Sequence, residues 1–133
     1  MKEHWKTTLR MVPMTLVMGT IFWLSHQPGD SFNLPRLPEI DKLCHMVVYS
    51  VLAVTVLFAF GRQRRNRRPR LVVLLTVLFC LFYGISDEFH QSFVPGRSVS
   101  ALDVLADCLG ALLTGLLWLR WRKRRTSAWC LPD

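Results

Sequence analysis

The chain has 133 residues, 51% of them hydrophobic, and a mean hydropathy of +0.27, which leaves room for one domain and excludes an ordinary soluble one of this size. A net charge of +8 would suit a nucleic-acid binder, but the basic residues fall in three bursts between apolar segments and form no continuous face. Nucleic acid is therefore not expected as a partner, and the charge reads as topology.

In chain order, the first apolar segment runs from about Thr7 to Ser25. It has the basic flank of a signal peptide, but no small-x-small cleavage site follows and Trp23 stands in that region, so it is expected to stay as an anchor. The second segment spans Leu43 to Phe60, the third Leu71 to Gln91 and the fourth Ala101 to Trp121. Each approaches the roughly 20 residues a spanning helix needs. The third does so only if the helix continues through Ser86-Asp87-Glu88-Phe89-His90-Gln91, which carries those polar residues to membrane depth. The expected fold is all-α, a polytopic membrane protein with four transmembrane helices, forming one domain over residues 1–125 with a tail at 126–133.

Lys2, Lys6 and Arg10 precede the first helix, the run Arg62, Arg64, Arg65, Arg67, Arg68 and Arg70 fills the loop between the second and third, and Arg120, Arg122, Lys123, Arg124 and Arg125 follow the fourth. They account for 14 of the 17 Lys and Arg. The positive-inside rule makes these segments cytoplasmic, so both termini lie inside and loops 26–42 and 92–100 face outward. Seven of the nine acids, Asp30, Glu39, Asp41, Asp87, Glu88, Asp103 and Asp107, belong to the outer end. The arginine run reads as a stop-transfer signal ahead of an anionic-lipid patch, and Trp5, Trp23, Trp118 and Trp121 as interfacial anchors. Cys44, Cys80, Cys108 and Cys130 form no C-x-x-C, so neither a disulfide nor a zinc site is expected.

Asp41, His45 and Tyr49 stand at i, i+4 and i+8 and form one stripe descending the second helix from its outer end. Asp87, Glu88 and Gln91 lie at the outer end of the third helix, with His90 pointing to a different side, and Pro95-Gly96-Arg97 turns the chain toward the fourth. Ser100-Ala-Leu-Asp103 resembles a capping box, which accounts for Asp103 but not for Asp107 one turn deeper in the apolar run. An ionisable residue at that depth is costly and points to function. Three helices thus bring acids, a histidine and an arginine to one level, as a pocket for a phosphorylated lipid head group requires. An ion pair of Arg97 with Asp87 or Glu88 is the simpler role for that arginine. Gly84, Gly110 and Gly115 read as small residues for close helix packing, the last two marking one tight face.

The ordered set Ser25-His26-Gln27-Pro28-Gly29, then Asp41-Lys42-x-x-His45-x-x-x-Tyr49, then Tyr83-Gly84-x-x-Asp87-Glu88-x-x-Gln91-x-Phe93-x-Pro95-Gly96-Arg97, then Asp103-x-x-x-Asp107-x-x-Gly110 resembles the VanZ-like membrane family over nearly the whole chain. The resemblance implies a small helical protein of the bacterial inner membrane, in a family whose namesake contributes to teicoplanin resistance. It carries the polar signature to Asp41, His45, Tyr49, Asp87, Glu88, Gln91, Arg97 and Asp103. Asp107 departs from it, since the family pattern usually has Asn there.

The expected activity is that of an enzyme or enzyme-like site on a lipid-linked phosphate or other envelope precursor at the outer leaflet. His45 is nucleophile or general acid, and Glu88 with Asp103 are base and orienter. Arg97 clamps an anionic head group, and Asp41, Tyr49, Asp87 and Gln91 complete the binding set. No metal site is assigned; a divalent cation on Asp87, Glu88 and Asp103 is an alternative placement of the same charges. Two competing readings are a non-catalytic protein that binds a cell-wall precursor, a glycopeptide or a partner, and a purely structural polar cluster. The pattern does not set the oligomeric state.

Overall fold

The computed structural model describes residues 2–28 and 38–128. Asp30, Gly29 and Cys130, named above, lie outside the described residues. The helices are α1 (Lys2–Ser25), α2 (Pro38–Ala59), α3 (Arg62–Arg67), α4 (Pro69–Gln91) and α5 (Ala101–Ala128), with no strand among the described residues. All but α3 are long and apolar enough to cross a membrane, so the chain is a multi-pass membrane protein.

The helices α1 and α2 begin earlier than the apolar segments, at Lys2 and Pro38 in place of Thr7 and Leu43, and two further elements differ from the sequence reading. The arginine loop contains α3, a six-residue helix set off by Gly61 and by Pro69, which opens α4. Its residues, Arg-Gln-Arg-Arg-Asn-Arg, are mostly good helix formers but carry no apolar stripe, so periodicity gives no sign of it. Helix α5 runs past Trp121 to Ala128, into the expected tail. There Arg122 stacks over Trp118, at 5.0 Å, and Arg125 over Trp121, at 4.4 Å, each pair spaced i, i+4 along the helix.

The helices pack as a small bundle in which α2 and α5 form the most extensive pair, followed by α4 with α5 and α1 with α2. Tyr49, Leu52, Ala53, Cys80 and Ala111 are buried at its centre, whereas large apolar residues such as Leu16, Trp23, Phe82 and Leu117 are exposed on its outer faces. That inside-out distribution suits a lipid surround. Tyr83 Oη donates to Met18 O at 2.7 Å, tying α4 to α1.

Gly110 and Gly115 prove to serve two neighbours and not one face, because a separation of five residues turns the helix well past a single stripe. A Cβ on Gly115 would press on Val73 of α4, and one on Gly110 would overlap the Met46 carbonyl of α2. Ser50 Oγ, 2.7 Å from Met46 O and 3.2 Å from Gly110 O, closes the α2–α5 contact at that point. Gly110→Ala should therefore destabilise the bundle by about 1–3 kcal/mol, the usual cost of overpacking. Gly19→Ala, where a Cβ would meet nothing within 4 Å, should leave the midpoint unchanged or higher; thermal unfolding of the two in detergent checks the difference.

Candidate functional site

Because the helices alternate in direction, the C-termini of α1 and α4 meet the N-termini of α2 and α5 at one end of the bundle. The α2 stripe descends there as the spacing requires: Asp41 is exposed, His45 is mostly buried and Tyr49 is fully buried. Facing it on α5, Asp103 and Asp107 are 3% and 0% exposed. A four-residue step along a helix puts Asp107 about 6 Å deeper than Asp103.

His45 Nδ1 lies 3.1 Å from Asp107 Oδ1. An ionised carboxylate only accepts, so Nδ1 carries the hydrogen and Nε2 is left for another partner. Gly84 makes this arrangement possible from the α4 side, since a Cβ there would stand 2.7 Å from Asp107 Oδ2. Read from sequence as a packing glycine only, Gly84 is the residue that gives the deep carboxylate its space.

The start of α5 departs from a capping box. Ser100 Oγ accepts from the Leu102 amide at 3.2 Å, but the Ser100 amide donates to Glu88 Oε2 of α4 at 2.9 Å. In a capping box the acid three residues on, here Asp103, would take that amide. Glu88 takes it instead, and Asp103 is released to face α2, where the Lys42 ammonium lies 3.4 Å from its Oδ1. Lys42 belongs to the quoted motif but was given no role from sequence, because its reach to α5 depends on helix packing.

The remaining polar residues form a seam toward α1. Gln91 Nε2 donates to Asp87 Oδ2 at 3.1 Å and lies 3.4 Å from Ser25 Oγ. His26 and His90 share a 3.3 Å nitrogen–nitrogen contact, with Phe22 packed on the His90 ring; His90 thus points toward α1, away from the acids. Arg97 forms no ion pair with Asp87 or Glu88. Its Nε and Nη2 donate to Gln27 O at 3.2 Å and Leu24 O at 2.9 Å, carbonyls at the end of α1, the second of which also accepts the Gln27 amide. Gly96, at φ 76°, makes the turn that delivers it. Two of the five N–H donors of Arg97 are thus committed to the end of α1, which makes the guanidinium a positioning group for the loop.

Among the described residues, three buried atoms have no hydrogen-bond partner: Tyr49 Oη, Glu88 Oε1 and Asp107 Oδ2. Asp103 Oδ1 makes no hydrogen bond beside its ion pair. Orphaned polar atoms at this burial are rare in a purely structural cluster, where each would cost about 1–3 kcal/mol. One ligand atom from each of Asp41, His45 and Asp103 lies within 4.8 Å of the others, spacing that suits a divalent cation. The set expected for a cation, Asp87, Glu88 and Asp103, does not form such a group, since Gln91 and the Ser100 amide engage the first two. The Asp107–His45 contact resembles the carboxylate that orients a ligating histidine.

Four spanning helices with a buried acid–histidine cluster at one end define a class of small polytopic membrane protein with a polar site at the end of its bundle. Within that class, the chain belongs to the VanZ/LLP1 family, which it matches over residues 2–122. An uncharacterized protein of Schizosaccharomyces pombe is 36% identical to it over 90 residues, covering 67% of this chain and 52% of the relative. The chain thus spans about half the length of that relative. No solved structure matches the chain.

If His45 and Asp107 answer each other inside the bundle, their substitutions are not additive. His45→Ala alone should cost about 3–5 kcal/mol by stranding a buried carboxylate, while His45→Ala with Asp107→Asn should recover most of that loss. A double-mutant cycle by thermal unfolding in detergent measures the coupling.

Proposed function

We propose that this chain is a membrane enzyme that acts on a lipid-linked phosphate or related envelope precursor, with the acidic end of the bundle at the outer leaflet of a bacterial inner membrane. The orientation rests on the basic residues at the opposite end. The observation that carries the reading is the convergence of His45, Glu88, Asp103 and Asp107 from three helices, with carboxylate oxygens left unpartnered at depth.

Electrostatics decides how an anion would enter. Two like charges 4 Å apart repel by about 4 kcal/mol at an effective dielectric of 20, so a phosphate among these acids needs a positive charge beyond Lys42. Asp41, His45 and Asp103 are the residues that would hold a divalent cation, His45 through Nε2 while Asp107 fixes its ring. Glu88, anchored through Oε2, keeps Oε1 for a proton from an attacking water or hydroxyl. Tyr49 lies below as a hydroxyl available to a substrate oxygen. In this reading His45 is a cation ligand in preference to a nucleophile, and Arg97 shapes the loop over the site.

A relative in a yeast fits a substrate class shared by bacterial and eukaryotic membranes, a lipid phosphate, better than one confined to bacterial walls. Altered susceptibility to a glycopeptide such as teicoplanin would follow from a change in the supply of lipid-linked precursor.

The purified protein should release phosphate from members of a lipid-phosphate panel only with a divalent cation present. Glu88→Gln should reduce release by about 10²-fold or more, the usual scale for losing a general base, and Asp41→Asn should reduce it by removing a cation ligand, each with little change in melting temperature. Full activity in both variants contradicts the proposal. Silence across the panel with folded protein favours the non-catalytic binding of a precursor, glycopeptide or partner.

A further inference from the structure

At the opposite end of the bundle the structure holds a second feature, independent of the chemistry just described. A cleft of about 510 Å³ lies between α3 and the end of α5, lined chiefly by Arg62, Arg65, Arg122 and Arg125 with Trp118 and Trp121. Among the described residues no carboxylate lines it. The segments that form it carry no acid of their own, since Arg62 to Ser86 and Cys108 to Ala128 contain no Asp or Glu. The two elements are nevertheless pinned together, Arg122 donating to the Arg65 carbonyl.

This crowding has an electrostatic cost. Burial and the neighbouring charges of Arg10, Arg122 and Arg62 push the Arg65 guanidinium below its ordinary value. A guanidinium does not lose its proton in a protein, so the repulsion persists and an anion relieves it. Guanidinium forks over indole rings make a planar, multi-donor surface of the kind that binds phosphate oxygens.

The cleft continues into an apolar groove of about 570 Å³ that shares Arg65, Trp118 and Trp121 with it and runs between α2 and α5 along Val54, Leu57, Phe58 and Leu117. Arg65 stands at the junction, 5.9 Å from the centre of the Phe58 ring. A cationic mouth opening directly into an apolar channel on a lipid-facing side matches an amphiphile with a charged head and a hydrocarbon tail.

We propose that this composite site binds an anionic phospholipid, its phosphate held by Arg62, Arg65, Arg122 and Arg125 and one acyl chain lying in the groove beneath Trp118. Shared lining selects a lipid over a free phosphate, which would use the mouth and leave the groove empty. The same arginines thereby act as more than a topology signal.

The test uses the full chain in a neutral detergent, with lipid retention read by native mass spectrometry and stabilisation by thermal unfolding. Phosphatidylglycerol should bind about tenfold or more tightly than phosphatidylcholine, in keeping with several arginines near one phosphate. Arg62→Gln with Arg65→Gln should abolish the preference, while Arg64→Gln with Arg67→Gln, an equal loss of charge outside this cleft, should preserve it. Leu117→Trp keeps every arginine and fills the groove; it should weaken retention of the lipid without lowering the melting temperature of the lipid-free protein. Equal binding of the two lipids, an equal loss in the Arg64/Arg67 pair, or an unchanged shift in Leu117→Trp overturns the proposal. Stabilisation by glycerol phosphate matching that of the lipid overturns it in favour of a free-anion site.

Discussion

A carboxylate with no exposed surface, one turn below the start of a spanning helix, is the constraint around which the acidic end is organised. Burying that charge costs several kcal/mol unless something answers it, and for Asp107 the answer is His45 across the α2–α5 interface. The pairing depends on two glycines. Gly110 lets α5 approach the backbone of α2, which brings His45 within reach, and Gly84 opens α4 to admit the second carboxylate oxygen. Glu88 then takes over the capping amide that Asp103 would otherwise hold, and this leaves Asp103 facing α2 beside Lys42.

The bundle is therefore polarised. One end concentrates carboxylates that are only partly satisfied, the other concentrates guanidiniums with few acids near them, and an apolar bundle separates the two. Among the described residues each end carries an excess of one sign, and this excess is what the two proposals rest on: a cation with a phosphate substrate at the acidic end, and a phospholipid head group at the basic end. A purely structural cluster would be expected to close its hydrogen bonds internally, as Gln91, Asp87 and Ser25 do toward α1.

Much of this was legible in the residues. Segment length and hydropathy located the four spanning helices, and the helical period put Asp41, His45 and Tyr49 on one descending stripe. What sequence could not supply was which side chains meet across helices, because that depends on crossing angles and on how closely backbones approach. Hence Arg97 was matched to the acids nearest in sequence, when carbonyls at the end of α1 hold it. Asp107 stood out only as a departure from the family pattern, and Lys42 carried no signal until α5 was placed beside α2. Helix α3 and the last turns of α5 escaped a reading based on apolar periodicity because they are polar throughout.

The central claim is that the acids at depth are held for a ligand and not for the fold. Titration of the detergent-solubilised protein with Mn²⁺, followed by electron paramagnetic resonance, tests it most directly, with Asp103→Asn as the comparison. The account predicts one bound ion per chain in the wild type and loss of that ion in Asp103→Asn at an unchanged melting temperature. Absence of binding in the wild type, or binding that survives the substitution, would contradict it.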